Sequence, residues 1–65
     1  MQKFIIRKRR TGHYVDRWRG LREDVAQALA FPSVEEAEFY GAQLRTSPDE
    51  YETCELTADG QIIPV

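Results

Sequence analysis

The sequence predicts a small α+β domain in which one helix covers one face of a small antiparallel sheet, in the element order β-β-α-β-β. Three observations support this fold class: strand-like residues on both sides of Thr11-Gly12, a helix-start signal at Ser33, and a hairpin signal at Asp59-Gly60. The chain has 65 residues, 42% of them hydrophobic, so residues 1–65 are expected to form a single domain.

The first two strands are predicted to form a hairpin. Residues 3–9 are rich in β-branched and aromatic side chains, and residues 14–19 form a second such stretch that ends at Gly20. A two-residue turn at Thr11-Gly12 fixes the register of this hairpin. The predicted cross-strand pairs are Arg9–Tyr14, Arg7–Asp16 and Ile5–Trp18, and the predicted core face carries Phe4, Ile6 and Val15.

The segment after the hairpin fits two structures equally well. Leu21, Val25, Ala28 and Leu29 have the spacing of one helix face, but residues 28–31 also form a short apolar run before a proline, which favours an extended chain. The sequence therefore leaves residues 21–31 either helical or extended.

The helix is predicted from a capping box, Ser33-Val34-Glu35-Glu36. The Ser33 hydroxyl accepts a hydrogen bond from the Glu36 amide and the Glu36 side chain reaches back to Ser33, so the helix begins at Val34, and Ser47-Pro48 ends it. Phe39 lies nearly opposite the buried face, where the helical pattern calls for polar side chains. The buried face is predicted to contain Val34, Ala37, Tyr40, Gly41 and Leu44.

A second hairpin is predicted after the helix. Residues 51–57 alternate between apolar and polar, and Asp59-Gly60 before Gln61-Ile62-Ile63 is typical of a type I′ turn. This hairpin is expected to supply Cys54, Leu56 and Ile63 to the core.

Charge is segregated along the chain. Residues 1–22 carry eight Lys and Arg side chains and one acid, whereas residues 23–65 carry ten acids and one Arg, for a net charge of −2. Such asymmetry indicates either electrostatic choice of a partner or pairing of one half of the chain with the other. The second alternative predicts that Arg7 pairs with Asp16 and that other arginines pair with Glu52 or Glu55.

No catalytic or metal-binding chemistry is predicted. His13 and Cys54 are the only residues of their types and lie in different hairpins, so neither a zinc site nor a nucleophilic triad is expected, and no cofactor or enzymatic activity is predicted. No apolar run approaches the roughly 18 residues of a membrane span, and no signal peptide follows Met1, so a cytoplasmic protein without membrane contact is expected. The pattern of Ala28, Phe31, Ser33, Glu35, Glu36 and Ala37 resembles one seen in small bacterial and phage proteins, and it implies no particular function.

Two functions from different classes fit the remaining features. The first is a protein-interaction module in which Phe39 anchors a partner beside Glu35 and Gln43. The partner is either another protein or a second copy of the chain. The second is a nucleic-acid-binding protein whose basic hairpin binds phosphates and stacks bases through Arg7, Arg9, Tyr14, Arg17 and Trp18. The pI of about 5.3 favours the first, because nucleic-acid-binding domains are usually basic throughout.

Overall fold

A computed structural model describes residues 2–44, 47 and 49–65, which form an antiparallel five-stranded sheet and one α-helix. The sheet order is β3-β2-β1-β4-β5, and helix α1 packs on β1 and β4. These contacts confirm the predicted fold class, an α+β fold with a helix on the sheet. The elements are β1 (Lys3–Lys8), β2 (Tyr14–Val15), β3 (Leu21–Arg22), a 3-10 turn (Val25–Gln27), α1 (Val34–Leu44), β4 (Tyr51–Leu56) and β5 (Ile62–Pro64).

The main core lies between α1 and the sheet. Phe4, Ile6 and Val15 are buried there together with Ala37, as the alternation and the helical stripe predict. A Cβ atom at Gly41 would lie 3.6 Å from the Ile6 side chain, so this glycine lets the helix backbone approach β1 closely. Phe31, Val34, Tyr40, Leu44 and Tyr51 pack around this core and are partly buried.

A second set of buried residues lies on the opposite face of the sheet. Ile5 and Cys54 are directly paired between β1 and β4, and neither has any solvent exposure. The predicted burial of Cys54 is confirmed, whereas the burial of Ile5 was not predicted. The prediction of Ile63 as a core residue is wrong: its side chain is 45% exposed, because it lies on the edge strand β5 while α1 packs on β1 and β4.

The predicted register of the first hairpin is wrong. Arg7 pairs with Tyr14, so the Arg9–Tyr14, Arg7–Asp16 and Ile5–Trp18 pairs do not form. The cause is a longer connection, in which the Lys8 amide donates to the His13 carbonyl and the Gly12 amide donates to the Lys8 carbonyl. Gly12 has φ +76°, which glycine adopts without a Cβ clash. Four residues, 9–12, therefore connect Lys8 to His13, where the prediction had a two-residue turn.

Residues 21–31 contain no α-helix. After β3, Asp24 caps the short 3-10 turn by accepting from the Ala26 amide, and the chain then runs extended to Phe31. Phe31 exchanges two backbone hydrogen bonds with Phe4, of 2.9 and 2.7 Å, and so extends the sheet beside the first half of β1. The extended alternative is therefore correct for residues 28–31.

Local signals at the helix start and the second hairpin are largely confirmed. The Glu36 amide donates to the Ser33 hydroxyl at 3.2 Å, and α1 begins at Val34. It ends at Leu44, and the predicted stop at Pro48 lies outside the described residues. The second hairpin forms, but its type I′ turn does not, because Gly60 is the one residue of this turn with positive φ. A type I turn followed by a left-handed glycine has this pattern.

Candidate interaction surfaces

Asp16 directly follows β2, and its side chain stabilises the turn that begins there. Asp16 is only 2% exposed, and its side chain accepts hydrogen bonds from the Trp18 amide (2.9 Å), the Gly20 amide (2.7 Å) and the Arg22 guanidinium (2.8 Å). An Asp side chain that bonds the amide two residues later favours a turn over a continuing strand. The predicted strand over residues 14–19 is therefore wrong beyond Val15. We call residues 16–20 the tryptophan turn.

The charge of Asp16 is stabilised by the groups around it. The hydrogen bond from Arg22 is the largest cause that lowers the pKa of the Asp16 carboxyl, with further contributions from the Gly20 and Trp18 amides. A Cβ atom at Gly20 would lie 3.2 Å from Asp16 Oδ2, so a larger residue there would require the Asp16 carboxylate to shift by a few tenths of an ångström. The tryptophan turn is thus held by its own residues and by the adjacent strand β3.

The tryptophan turn exposes an aromatic ring that two arginines flank in the sequence. Trp18 is 75% exposed, and the Arg17 guanidinium lies 5.6 Å from the centroid of its ring. Arg19 has φ +64°, an unfavourable conformation for a residue with a Cβ atom, and its guanidinium lies over the Tyr40 ring of α1 at 5.8 Å. This last contact places the tryptophan turn beside the helix.

Arg7 is held within the fold. Its Nε donates to Glu52 Oε2 at 2.7 Å across β1 and β4, and its Nη2 lies 2.6 Å from the same oxygen. The hydrogen bond to Glu52 is the main cause that raises the Arg7 pKa, and a bond to Tyr14 adds to it. The predicted Arg7–Asp16 pair is therefore wrong, and Arg7 pairs instead with Glu52, one of the acids expected to pair with other arginines.

The five residues predicted to bind nucleic acid do not share one surface patch. Arg7 and Tyr14 face each other on the sheet, whereas Arg17 and Trp18 lie on the tryptophan turn. Arg9 is exposed just after β1 and, within the described part of the chain, forms no ion pair. The register error explains this separation, because Trp18 was expected on a strand opposite Ile5.

A groove lined almost entirely by apolar atoms crosses the outer surface of α1. Phe39 is 70% exposed and lies beside Phe31 and Tyr40, whose ring centroids are 5.3 Å apart at an angle of 51°. The groove has a volume of about 380 Å³ and is also lined by Glu35, Glu36 and Gln43. We call this feature the aromatic groove, and it includes all three residues predicted for a protein interface.

A larger depression lies on the other side of Phe39, between α1 and β5. Charged side chains, among them Arg9, Glu38 and Glu52, and other polar atoms make up most of its surface. The aromatic groove is therefore the more apolar of the two surfaces that Phe39 borders. Sequence reasoning identified Phe39 from its helical position but not Phe31 and Tyr40, whose contribution depends on how residues 28–31 fold beside β1.

The remaining reactive side chains, His13 and Cys54, have different surroundings. His13 lies 3.5 Å from Glu23, and burial raises the pKa of the Cys54 thiol, which keeps it protonated and unreactive. Among residues 2–44, 47 and 49–65, no three His, Cys, Asp or Glu side chains are grouped to hold a metal ion. Within the same residues, no helix is long and apolar enough to cross a membrane.

Comparison of the chain with protein-family models, with curated proteins and with solved structures finds no match.

Proposed function

We propose that this chain is a small protein-interaction module that binds its partner through the aromatic groove on α1. The observation that carries the proposal is the exposure of Phe39 beside two further aromatic rings. Interface hot spots are enriched in aromatic residues that fill apolar pockets surrounded by polar groups. Glu35, Glu36 and Gln43 supply such polar groups here.

The fold supports this role by packing two rings of the aromatic groove against the core and leaving the groove uncovered. Phe31 is fixed by its two backbone hydrogen bonds to β1, and Tyr40 packs against the core. A partner would therefore bind a preformed surface and would order few side chains in doing so, which favours affinity. The proposal includes a cytoplasmic location, supported by the single cysteine, Cys54, which is buried and unpaired.

The proposal is tested by photo-crosslinking in cells from a residue of the aromatic groove. With p-benzoyl-phenylalanine in place of Gln43, we expect adducts with protein, because a bound partner lies within reach of this exposed position. The same probe in place of Ala58, an exposed residue of the β4–β5 turn, is the matched control.

Adding Phe39→Asp should abolish the adducts at position 43, because a charged group in the apolar groove opposes burial of that surface. The proposal is wrong if position 43 gives no more protein adducts than position 58, or if Phe39→Asp leaves the adducts at position 43 unchanged.

Binding of single-stranded nucleic acid is the second candidate, favoured by one observation. Trp18 presents most of its ring to solvent with Arg17 beside it, and this combination suits base stacking next to a phosphate. The candidate site is now the tryptophan turn, since Arg7 is neutralised by Glu52.

Salt titration of oligonucleotide binding tests this candidate. Arg17→Ala should flatten the log–log dependence of affinity on salt by about 0.7, whereas Trp18→Ala should weaken binding without changing the slope. Arg7→Lys, which keeps the charge paired with Glu52, is the control and should leave the slope unchanged. Absence of binding at low salt would exclude this function.

A further inference from the structure

We propose that the occupant of the aromatic groove is the tryptophan turn of a second copy of this chain. In this dimer each copy inserts its Trp18 between Phe39 and the neighbouring rings of the other copy, so the contact is made twice around a twofold axis. The inference rests on the proposed function, because it names the partner of the same aromatic groove.

Charge complementarity favours this partner. The tryptophan turn carries Arg17 and Arg19, of which Arg17 lies beside the Trp18 ring, whereas the aromatic groove carries Glu35 and Glu36. Each copy therefore has a cationic aromatic projection and an anionic aromatic recess, and two copies match each other in both charge and polarity. The segregation of charge along the sequence explains this match, because the tryptophan turn belongs to the basic residues 1–22 and α1 to the acidic residues 23–65.

Within one chain, the tryptophan turn does not fill the aromatic groove. The hydrogen bonds to Asp16 fix the backbone of the turn, and in this conformation Trp18 remains 75% exposed. The Arg19–Tyr40 contact nevertheless places the turn beside the aromatic groove of its own chain. Two adjacent complementary surfaces allow both contacts of a twofold dimer to form at once.

The two surfaces supply a substantial part of the area that a specific contact needs. The groove volume of about 380 Å³ exceeds the roughly 300 Å³ at which small-ligand pockets begin, so it accommodates an aromatic side chain. Burial of an aromatic residue removes about 150–250 Å² from solvent, so two Trp18 and two Phe39 rings supply about half of a standard interface.

Sedimentation of the purified chain from micromolar to millimolar concentration tests the inference. The wild type should form a dimer at the higher concentrations, and Trp18→Ala and Phe39→Asp should each raise its dissociation constant about tenfold or more. Ile63→Asp, which places a charge on an exposed apolar residue of β5, is the matched control and should leave dimerisation unchanged. Circular dichroism establishes that each variant is folded.

A charge exchange between the two surfaces tests the pairing directly. One variant carries Arg17→Glu with Arg19→Glu, and the other carries Glu35→Lys with Gln43→Lys, which leaves the Ser33–Glu36 cap intact. Each variant alone should be monomeric, because its two surfaces then repel. A mixture of the two variants should form a heterodimer, because opposite charges then meet at both contacts. Association in the mixture also shows that both variants are folded, since unfolded variants would not associate.

The results also separate this inference from the proposed function. A wild type that is monomeric at millimolar concentration, a dimer unaffected by Trp18→Ala, or a failure of the charge-exchanged variants to associate when mixed each overturns the inference. The proposed function survives these results if position 43 still crosslinks to a different protein, and it fails if position 43 crosslinks to none.

Discussion

The two tight turns at residues 16–20 and 57–61 are built by similar means but present different surfaces. In each, a side chain bonds to nearby backbone amides: Asp16 to those of Trp18 and Gly20, and Thr57 to that of Gln61. The left-handed position of the β4–β5 turn is occupied by Gly60, whereas the tryptophan turn has Arg19 there.

The residue at the left-handed position shows that the tryptophan turn, and not the β4–β5 turn, departs from the choice that stability alone favours. Glycine at positive φ avoids a cost of about 1–2 kcal/mol that residues with a Cβ atom incur, so Gly60 is the choice that stability favours. The tryptophan turn incurs this cost and also exposes its tryptophan to water. Backbone strain combined with an exposed aromatic residue is typical of functional loops rather than of simple connections. This contrast supports assigning an interaction role to the tryptophan turn.

Removal of Asp16 should have the largest effect on stability. Asp16→Ala leaves two backbone amides and the Arg22 guanidinium without their acceptor, so the urea midpoint should fall further than it does for any other substitution in the two turns. Asp59→Ala is the counterpart in the β4–β5 turn and should have a much smaller effect, because Asp59 is exposed. Equal effects of the two substitutions would mean that Asp16 does not organise its turn.

The same carboxylate should make stability depend on pH. The Asp16 pKa is lowered in the folded protein, chiefly by the Arg22 hydrogen bond, so its contribution is complete above about pH 4 and is lost as the pH falls. Asp16→Asn, with no charge to titrate, should lower stability at neutral pH and lose less on acidification than the wild type does. Parallel acid unfolding curves for the two proteins would contradict this assignment.

Gly60→Ala should destabilise the chain by about 1–2 kcal/mol, because alanine at φ +88° is strained. No atom lies within 4 Å of a Cβ built there, so the measured change in unfolding free energy reports backbone strain alone. An unchanged unfolding free energy would show that the turn relaxes to another conformation.

Arg19→Gly, the converse change, should alter the unfolding free energy by less than about 1 kcal/mol. Relief of strain is offset by the greater unfolded-chain entropy of glycine and by loss of the Arg19–Tyr40 contact, each about 0.5–1 kcal/mol. Chemical denaturation measures the difference. A loss as large as that of Gly60→Ala would mean that the two turns do not differ in strain.

Much of the fold was predictable because its signals are local. The capping box at Ser33 starts α1, strand alternation identifies Phe4, Ile6 and Val15 as core, and the helical spacing leaves Phe39 exposed. Each of these signals depends on residues only a few positions apart, where backbone geometry fixes which side chains meet.

The sequence-based predictions are wrong where a side chain replaces the backbone as a hydrogen-bond partner or where residues distant in the sequence meet. Asp16 diverts the chain from a strand that its β-branched and aromatic neighbours favour. The Arg7–Glu52 pair joins residues 45 positions apart, so it depends on the pairing of β1 with β4. The aromatic groove likewise requires Phe31 beside β1, which depends on the extended conformation of residues 28–31.

Fluorescence of Trp18, the single tryptophan of the chain, tests most directly whether the tryptophan turn fills the aromatic groove. As the concentration of the wild type rises from micromolar to millimolar, its emission should shift to shorter wavelength and acrylamide quenching should weaken, because the exposed ring becomes buried against Phe39. Phe39→Asp should show neither change, whereas Ile63→Asp should behave as the wild type. An emission maximum and a quenching constant that stay those of an exposed tryptophan at every concentration would contradict insertion of the turn into the groove.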